Sequence, residues 1–307
     1  MFINIVYEQH LLFIRRKTMP EIERSGSNPL QKYFRQPKIY IGLPSKGNWY
    51  PDGSIEKTET GEYPIYAMTA RDELMFKTPD ALLNGQATVD VIHSCVPNIK
   101  NAWDVPTIDL DTLLVAIRIA TYGEKLELST KVPGNSDLER KFDLDLRVVL
   151  DKFTGVDYNS IITVDDLTLT LRPQTYREFT KVATKTFEEQ RIASAVQDND
   201  MTDDEKLVVF NKAFTALTSI TIDMVMDGVA TIQTAEGDVV TDKNHIAQFI
   251  SNADKKFYTS VTDNMEANRS KFSLKPITIE STEEELEAGA PKTWEMPITF
   301  DQANFFG

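Results

Sequence analysis

Residue types that build metal centres and disulfide frameworks are scarce in this sequence of 307 residues. It has one cysteine, Cys95, and three histidines, His10, His93 and His245, which lie far apart along the chain. A single cysteine cannot form an internal disulfide, and the histidines lack the close spacing of zinc ligands. The sequence therefore predicts no metal and no other cofactor, and its lone thiol is typical of a reducing compartment.

Basic residues are also few compared with acidic ones. The chain has 33 Lys and Arg against 47 Asp and Glu, which gives a formal net charge of −14. A surface with this charge repels phosphate backbones and anionic lipid headgroups, so we expect no nucleic-acid partner. Runs of about 18 consecutive apolar residues are absent as well, so we expect no membrane insertion.

The first 18 residues are unusually apolar for a chain end. The apolar part ends at Ile14, and the basic cluster at residues 15–17 follows it, which is the wrong order for a signal peptide. Two interpretations remain open. Either residues 1–18 are an upstream read and Met19 is the true start, or they form a short helix or arm that docks on a partner. Residues 1–37 are predicted to be an N-terminal arm.

Residues 43–123 are predicted to organise the core. The stretch begins with a loop at residues 43–51 and closes with a helix at residues 109–122 that Gly123 terminates. Apolar residues cover both faces of this helix: Leu110, Leu113, Leu114, Ile117 and Ala120 on one, and Val115, Ala116 and Ile119 on the other. A helix with two apolar faces is typical of the centre of a core.

The remaining pattern predicts an α+β fold, with a central apolar helix and β-hairpins followed by a mostly helical second half and extended terminal arms. Alternating apolar residues predict strands at 38–43 and 63–67 and β-hairpins within 125–146, 160–171 and 229–241. Helices are predicted at 70–76, 85–95, 175–192, 243–252 and 253–268. The predicted domains are residues 1–37, 38–172, 173–279 and 280–307.

One more helix is predicted to open at the capping box that Thr202 and Glu205 form. An apolar stripe then follows at Leu207, Phe210, Phe214, Leu217 and Met224. The β-branched run at residues 218–222 predicts a break or kink in this helix. Residues 280–287 contain five glutamates in eight positions, which favours a solvated linker before an aromatic C-terminal tail.

Three short segments resemble sites of known chemistry but lack essential parts. Residues 42–47 have the glycine spacing of a phosphate-binding loop, without the lysine and hydroxyl residue that should follow the second glycine. Residues 198–203 begin like a calcium loop but lack its glycine and its final carboxylate. His93, Ser94 and Cys95 adjoin in sequence, and neighbours on a helix point in different directions. We therefore predict no catalytic residues, and turns, helix caps and core packing account for these segments.

Three motifs in order carry a family resemblance. They are Leu-Pro-Ser-Lys-Gly-Asn-Trp-Tyr-Pro at residues 43–51, Tyr-Ala-Met-Thr-Ala-Arg-Asp-Glu at residues 66–73, and the helix ending in Tyr-Gly at residues 113–123. Together they resemble the T4-type phage baseplate family over residues 38–150, and the tail at residues 297–306 is similar too. Some relatives carry a Cys-Pro-x-Cys knuckle where this chain has Val-Pro-Gly-Asn at residues 132–135, so no zinc site is carried over.

The resemblance implies a non-enzymatic structural component of a contractile-tail baseplate hub, or a factor needed for its assembly. It implies synthesis in the host bacterial cytoplasm and a final location in the virion tail. The implied partners are other baseplate and tail proteins, and the chain can also form an oligomer within the assembly. An assembly chaperone absent from the mature virion and an enzyme with an unrecognised site are the alternatives. Aromatic anchors are expected to bind partners: Trp49, Tyr50, Trp294, Phe300, Phe305 and Phe306.

Overall fold

One helix with buried side chains on both faces lies at the centre of the first apolar cluster. In the computed structural model, which describes residues 30–76, 85–195, 202–273 and 275–296, the central helix spans Thr107–Tyr122. Ten of its side chains are buried, on both of its faces. The prediction of a central helix is confirmed, and Gly123 follows it with a positive φ of 94°.

The chain divides into two units, Met1–Gln36 and Pro37–Gly307. The described residues of the first unit include a short 3-10 helix at Gln31–Tyr33. In the second unit the helices are α1 (Ala70–Phe76), α2 (Gln86–Cys95), α3 (Thr107–Tyr122), α4 (Leu146–Thr154), α5 (Tyr176–Ala195), α6 (Asp203–Gly228), α7 (Lys243–Asn252), α8 (Lys255–Lys271) and α9 (Glu283–Glu287). The strands are β1 (Pro37–Gly42), β2 (Glu62–Tyr66), β3 (Lys125–Val132), β4 (Asn135–Asp145), β5 (Ile161–Val164), β6 (Leu167–Leu171), β7 (Val229–Gln233), β8 (Val239–Val240), β9 (Ile277–Glu280) and β10 (Thr293–Met296). The predicted α+β class is confirmed.

All the described strand pairs are antiparallel. Strands β1 and β2, β3 and β4, and β9 and β10 form three two-stranded sheets, and β5, β6, β7 and β8 form a four-stranded sheet in that order. Strands β6 and β7 are neighbours although α5 and α6 lie between them in sequence. Leu171 pairs with Val229, and the Arg172 N–H donates to the Gly228 carbonyl at 2.9 Å. The two long helices therefore form a helical hairpin, here called the α5–α6 hairpin. It leaves the sheet after β6 and returns to it at the start of β7, beside the point where it left.

Three apolar clusters hold these elements together. The first surrounds α3 and includes side chains of β1, β2, α1, α2 and α4. In the second, the four-stranded sheet packs on α7, α8 and the C-terminal end of α6. In the third, β9 and β10 lie against the β3–β4 hairpin, where the ring centroids of Trp294 and Phe142 are 6.4 Å apart.

Two predictions are wrong in an instructive way. Helix α6 runs unbroken through residues 218–222, because β-branched residues lower helix propensity only slightly and packing against α5 outweighs that cost. The glutamate-rich stretch at 280–287 is not a solvated linker. It contains α9, which Thr282 caps, and Glu285 is 7% exposed and pairs with Arg140 at 3.0 Å. The burial of Glu285 depends on a partner 145 residues away, so no local pattern predicts it.

Other elements were not predicted at all. Helix α4 begins at Leu146, which we expected to end a strand, because Asp145 caps it by accepting from the Arg147 N–H. Strands β9 and β10 are four residues each, too short for a period to stand out. The three predicted β-hairpins are confirmed. The predicted domain boundaries within Pro37–Gly307 stay predictions.

Candidate interaction surfaces

The loop at residues 43–51 wraps around one buried carboxylate. Asp109 lies in the first turn of α3 and is 0% exposed. Its Oδ1 accepts from the Ser45 N–H at 2.7 Å, and its Oδ2 accepts from the Ser45 hydroxyl at 2.5 Å and the Tyr50 hydroxyl at 2.9 Å. Ser45 and Asp109 are 64 residues apart in sequence. The loop is therefore attached to the central helix through three hydrogen bonds to one side chain.

The backbone of the loop is bent to make these contacts. Lys46, Gly47 and Trp49 all have positive φ, of 56°, 72° and 64°. A Cβ atom on Gly47 would lie 2.8 Å from the Tyr63 hydroxyl oxygen, so space as well as conformation favours glycine at this position. The Ser45 hydroxyl also accepts from the Gly47 N–H at 3.0 Å, which ties the turn to the carboxylate contact.

Burial dominates the electrostatics of this contact. It raises the pKa of Asp109 from its ordinary value of 3.8 to about 6, although the hydrogen bonds from Ser45 and Tyr50 act in the opposite direction. The pKa of Tyr50 is raised well above 10.0 by burial and by the neighbouring Asp109 carboxylate. The amide and hydroxyl donors that a phosphate would need here already bind the chain's own carboxylate. Residues 44–47 form a turn in the structure.

The predicted anchors Trp49 and Tyr50 contact their own chain. The Trp49 ring meets the Tyr158 ring edge-on, with centroids 5.2 Å apart, and the Tyr50 hydroxyl is held by Asp109. Both residues are partly exposed. That they bind a partner stays a prediction. In the structure both residues belong to the loop that surrounds Asp109.

The adjoining residues His93, Ser94 and Cys95 have three separate surroundings. The His93 Nε2 accepts from the Ala102 N–H at 2.8 Å, the Ser94 hydroxyl donates to Asp72 at 2.8 Å, and Cys95 is 0% exposed. The Ser94 hydroxyl donates its hydrogen to Asp72, so His93 does not accept it as the base of a Ser–His pair. Among the residues that the structure describes, no group of three or more His, Cys, Asp or Glu side chains is placed to hold a metal ion.

The predicted anchor Trp294 lies far from Trp49 in the fold, in the third apolar cluster. It is 8% exposed and packs between the β9–β10 sheet and Phe142 of β4. Its indole Nε1 is buried and has no hydrogen-bond partner among the described residues. The other predicted anchors, Phe300, Phe305 and Phe306, lie outside the described residues.

Among the residues that the structure describes, the α5–α6 hairpin carries the largest set of exposed apolar side chains. The set, here called the distal patch, consists of Phe187, Ile192, Leu207, Val208, Phe210 and Phe214, which are 44–68% exposed. Leu207, Phe210 and Phe214 begin the stripe that the sequence pattern contains, and such stripes normally face a core. In this structure the first half of the stripe faces solvent.

Burial along α6 divides the helix into two halves. Near the sheet, Ile220 and Val225 are 8% and 0% exposed, and the end of the helix packs into the second cluster. Over its most apolar window, within Asp204–Gly228, only 12% of the helix is buried. By length and composition alone this helix is apolar enough to cross a membrane. The base of the hairpin is thus anchored in the fold, and its distal half is not.

Sequence reasoning missed both features for the same reason. The stripe at Leu207, Phe210 and Phe214 was visible, but its pattern does not say whether a core or solvent lies opposite. Asp109 was visible as an acidic residue in a first helical turn, where a favourable interaction with the helix dipole is a sufficient explanation. The apolar residues on either side of Asp109, Ile108 and Leu110, were the available signal that its charge is buried.

These features together define a class of protein. The described residues build an α+β body held by internal contacts, from which a long helical hairpin presents apolar side chains to solvent. Exposed apolar side chains of this kind are typical of protein–protein contact sites. The class is therefore an α+β protein with a candidate interaction surface on its helical hairpin.

Comparison with known families gives the particular family. The model of the family described as T4 bacteriophage base plate protein matches residues 51–288. The match covers more than half of the chain, so this protein belongs to the T4-type phage baseplate family, and the resemblance seen in the sequence is confirmed. Neither a comparison with curated proteins nor one with solved structures finds a match.

Proposed function

We propose that this phage baseplate protein is a non-enzymatic structural component of the baseplate hub, or a factor needed to assemble the hub. The α5–α6 hairpin is its main docking element. The observation that carries the proposal is the exposure of the distal patch on a hairpin whose base packs into the second apolar cluster. Apolar side chains with this exposure are typical of a subunit whose surface a neighbouring protein covers in an assembly.

The energy available from the distal patch is large enough to support docking. Phe187, Phe210 and Phe214 are 55–64% exposed, and aromatic side chains bury about 150–250 Å² each, so about 100 Å² of each ring is free. At about 25 cal/mol per Å², covering one of these rings contributes about 2.5 kcal/mol before association costs. Phe210 and Phe214, one helical turn apart on α6, are the proposed centre of the interface.

The C-terminal tail is proposed as a second contact. Trp294 and its neighbours in β10 hold the start of the tail against β3 and β4. The buried indole N–H of Trp294 still needs an acceptor, which the residues that follow or a neighbouring subunit could supply. Phe300, Phe305 and Phe306 are the proposed anchors of this contact.

An assembly chaperone that leaves before the virion is complete is the main alternative, because a chaperone would use the same exposed patch. An enzyme is less well supported, since the residues considered for chemistry are engaged in internal contacts. A census of proteins in purified virions by mass spectrometry distinguishes a hub subunit, which is present at a stoichiometric level, from a chaperone, which is absent.

The docking role is tested with phage that carries F210S/F214S. We expect the variant protein to fold, with an unchanged circular dichroism spectrum, and to leave baseplates incomplete in electron micrographs of infected cells. The matched control is Y40S/I161S, which removes two side chains that are each 60% exposed but lie on β1 and β5. A deletion of residues 297–307 tests the tail in the same assay while keeping β10 in place.

The outcomes separate the two contacts. Loss of assembly with F210S/F214S and normal assembly with the control support docking through the hairpin. Normal particle numbers with F210S/F214S would refute it, and normal numbers with the deletion would refute the proposed contact of the tail.

A further inference from the structure

We infer that the free chain holds its own C-terminal tail, residues 297–307, as an added strand in a groove that β1 forms with α3 and α4. The inference goes beyond the proposed function, because it concerns the chain before a neighbour binds. Contact of Phe300 with a neighbour then requires the tail to leave this groove. Three observations support the inference: a strand edge without a partner strand, a buried hydroxyl group without a hydrogen bond, and the place where the tail begins.

The groove has a volume of about 290 Å³ and follows β1. Residues 39–42 line it together with Arg147 and Leu150 of α4 and with Thr112 and Ile119 of α3. Successive side chains of a strand point to opposite faces of the sheet. Four consecutive residues that line one groove therefore indicate that it runs along the edge of the strand.

This edge of β1 is available for pairing. Strand β1 pairs with β2, and no other strand among the described residues pairs with it. Pro64 of β2 lies opposite Tyr40 and has no N–H, and a proline in an edge strand occupies a position whose N–H would point away from its partner strand. In a pair of this kind the N–H and C=O groups of Tyr40 point away from β2 as well, towards the other edge. An extended segment added at that edge would satisfy these groups.

Thr112 gives the groove a second polar group that needs a partner. The residue is 1% exposed, and its Oγ1 has no hydrogen-bond partner among the described residues. Nearly all buried polar atoms in folded proteins have a hydrogen-bond partner. Because Thr112 lines the groove, the backbone of an added segment can supply one.

The tail begins at the end of β10 that lies towards α4. The Arg140 side chain donates to the Glu280 carbonyl, and Glu280 pairs with Thr293 at the start of β10. The next residue, Trp294, meets Phe142, which lies two positions beyond Arg140 on β4. Strand β10 therefore advances along β4 in the direction in which β4 leads into α4. Helix α4 carries one side of the groove.

The tail is long enough to reach the groove and has a suitable sequence. Leu128 packs against both the first and the third apolar clusters, so the surroundings of β10 adjoin those of α4. The eleven residues at 297–307 span up to about 36 Å when extended, and the edge at residues 39–42 is about 13 Å long. Ile298 and Phe300 alternate with polar residues as in a strand, and Asp301 is the one charged residue of the tail.

The tail of the same chain is a better occupant than the tail of a second copy. A segment joined to β10 by a few residues has an effective concentration in the millimolar range at a nearby groove. A second copy has to be present at a comparable concentration to compete. The proposed contact is therefore within one chain.

Hydrogen exchange of the purified full chain, measured by mass spectrometry, tests the inference. We expect peptides covering residues 38–42 to exchange about tenfold more slowly in the full chain than in a deletion of residues 297–307, while peptides covering β5 stay unchanged. F300S should lose much of this protection, and F306S, the same substitution near the end of the tail, should keep it. The protection should be equal at about 1 µM and 100 µM protein, because the contact is intramolecular.

T112V tests the contact with the buried hydroxyl group. The substitution removes a hydroxyl that has no partner once the tail is deleted, so it should raise the urea midpoint of the deletion variant. In the full chain the tail supplies the partner, and the midpoint should rise less or fall. Circular dichroism of both proteins checks that the fold is kept.

Three results would overturn the inference. One is equal exchange of residues 38–42 in the full chain and in the deletion variant. Another is protection that appears only at the higher protein concentration, which would assign the groove to the tail of a second copy. The third is an equal effect of T112V in both chains. The proposed contact of the tail with a neighbour fails separately, because it is judged by baseplate assembly in infected cells.

Discussion

Replacing Asp109 by asparagine removes the one buried carboxylate that fastens the loop at residues 43–51 to the central helix. Asparagine keeps the shape of the side chain, and its Oδ1 can still accept from the Ser45 N–H. The hydroxyls of Ser45 and Tyr50 can rotate to accept from the new amide group, so the contact survives in a neutral form. The variant therefore isolates the effect of charge from the effect of packing.

The pKa of Asp109 determines how this effect varies with pH. Below pH 3.8 the carboxyl group is protonated in both the folded and the unfolded chain, and above about pH 6 it is ionised in both. Between these values the folded chain binds more protons, so rising pH lowers the free energy of unfolding. The two pKa values differ by about 2 units, and each unit changes the free energy of unfolding by about 1.4 kcal/mol. Ionisation of Asp109 therefore lowers the free energy of unfolding by about 3 kcal/mol across this interval.

Urea denaturation of the wild type and of D109N between about pH 3.5 and pH 7 measures this quantity. We expect the stability of D109N relative to the wild type to rise by about 3 kcal/mol across the range. Other carboxylates also titrate, but their contributions are common to both proteins and cancel in the difference. The pKa of Glu178, for example, is lowered overall because hydrogen bonds from Arg172 and Thr175 outweigh its burial.

D157N is the matched control. Asp157 is an exposed residue whose pKa is lowered by its hydrogen bond to Lys46 of the same loop. A lowered pKa has the opposite sign, so D157N should lose stability relative to the wild type as pH rises from the acid side, and only slightly because the pair is exposed. A stability difference between the wild type and D109N that is constant from about pH 4 to pH 7 would refute the reasoning about Asp109.

Two further predictions concern single contacts and are measured by the same denaturation assay near neutral pH. G47A should destabilise the chain by roughly 1–3 kcal/mol, because alanine is strained at a φ of 72° and its Cβ would lie 2.8 Å from the Tyr63 hydroxyl oxygen. G53A is the control for backbone strain alone, because Gly53 has a φ of 80° and open space around it. An equal loss of stability in the two variants would contradict the contact with Tyr63. R140A should cost about 3 kcal/mol, because it removes the ion-pair partner of the 7%-exposed Glu285 and leaves its carboxylate only the hydrogen bond from the Thr282 N–H. R269A breaks an exposed pair with Glu266 and should cost less than about 1 kcal/mol. A small loss for R140A would show that Glu285 is readily rehydrated.

Short-range signals in the sequence predicted much of the fold correctly. The two apolar faces of α3, the alternation in β3 and β5, and the capping box at Thr202 each depend on residues within one or two turns. Such patterns keep their meaning in most folds because helix and strand periods are properties of the backbone. The failures fall at the positions where a distant partner decides the outcome, as with Glu285 and Arg140.

The candidate site was only partly predictable. The apolar stripe on α6 is explicit in the sequence, and its exposure is not, because exposure depends on which elements pack opposite the helix. The aromatic residues singled out as anchors include Trp294, whose ring is largely covered by β4 and the β9–β10 sheet. Aromatic residues bury large areas in cores and in interfaces alike, so residue type alone cannot distinguish the two.

By itself, the sequence determined the local elements of this protein, its acidic surface, and the family motifs at residues 43–51, 66–73 and 113–123. These follow from residue identity and short-range spacing. Only the tertiary structure decided that the loop's donors meet Asp109 across 64 residues, that the glutamate run folds onto Arg140, and that the stripe of α6 projects into solvent. Each of these depends on which distant groups become neighbours, and burial, pKa and exposure are properties of those neighbours.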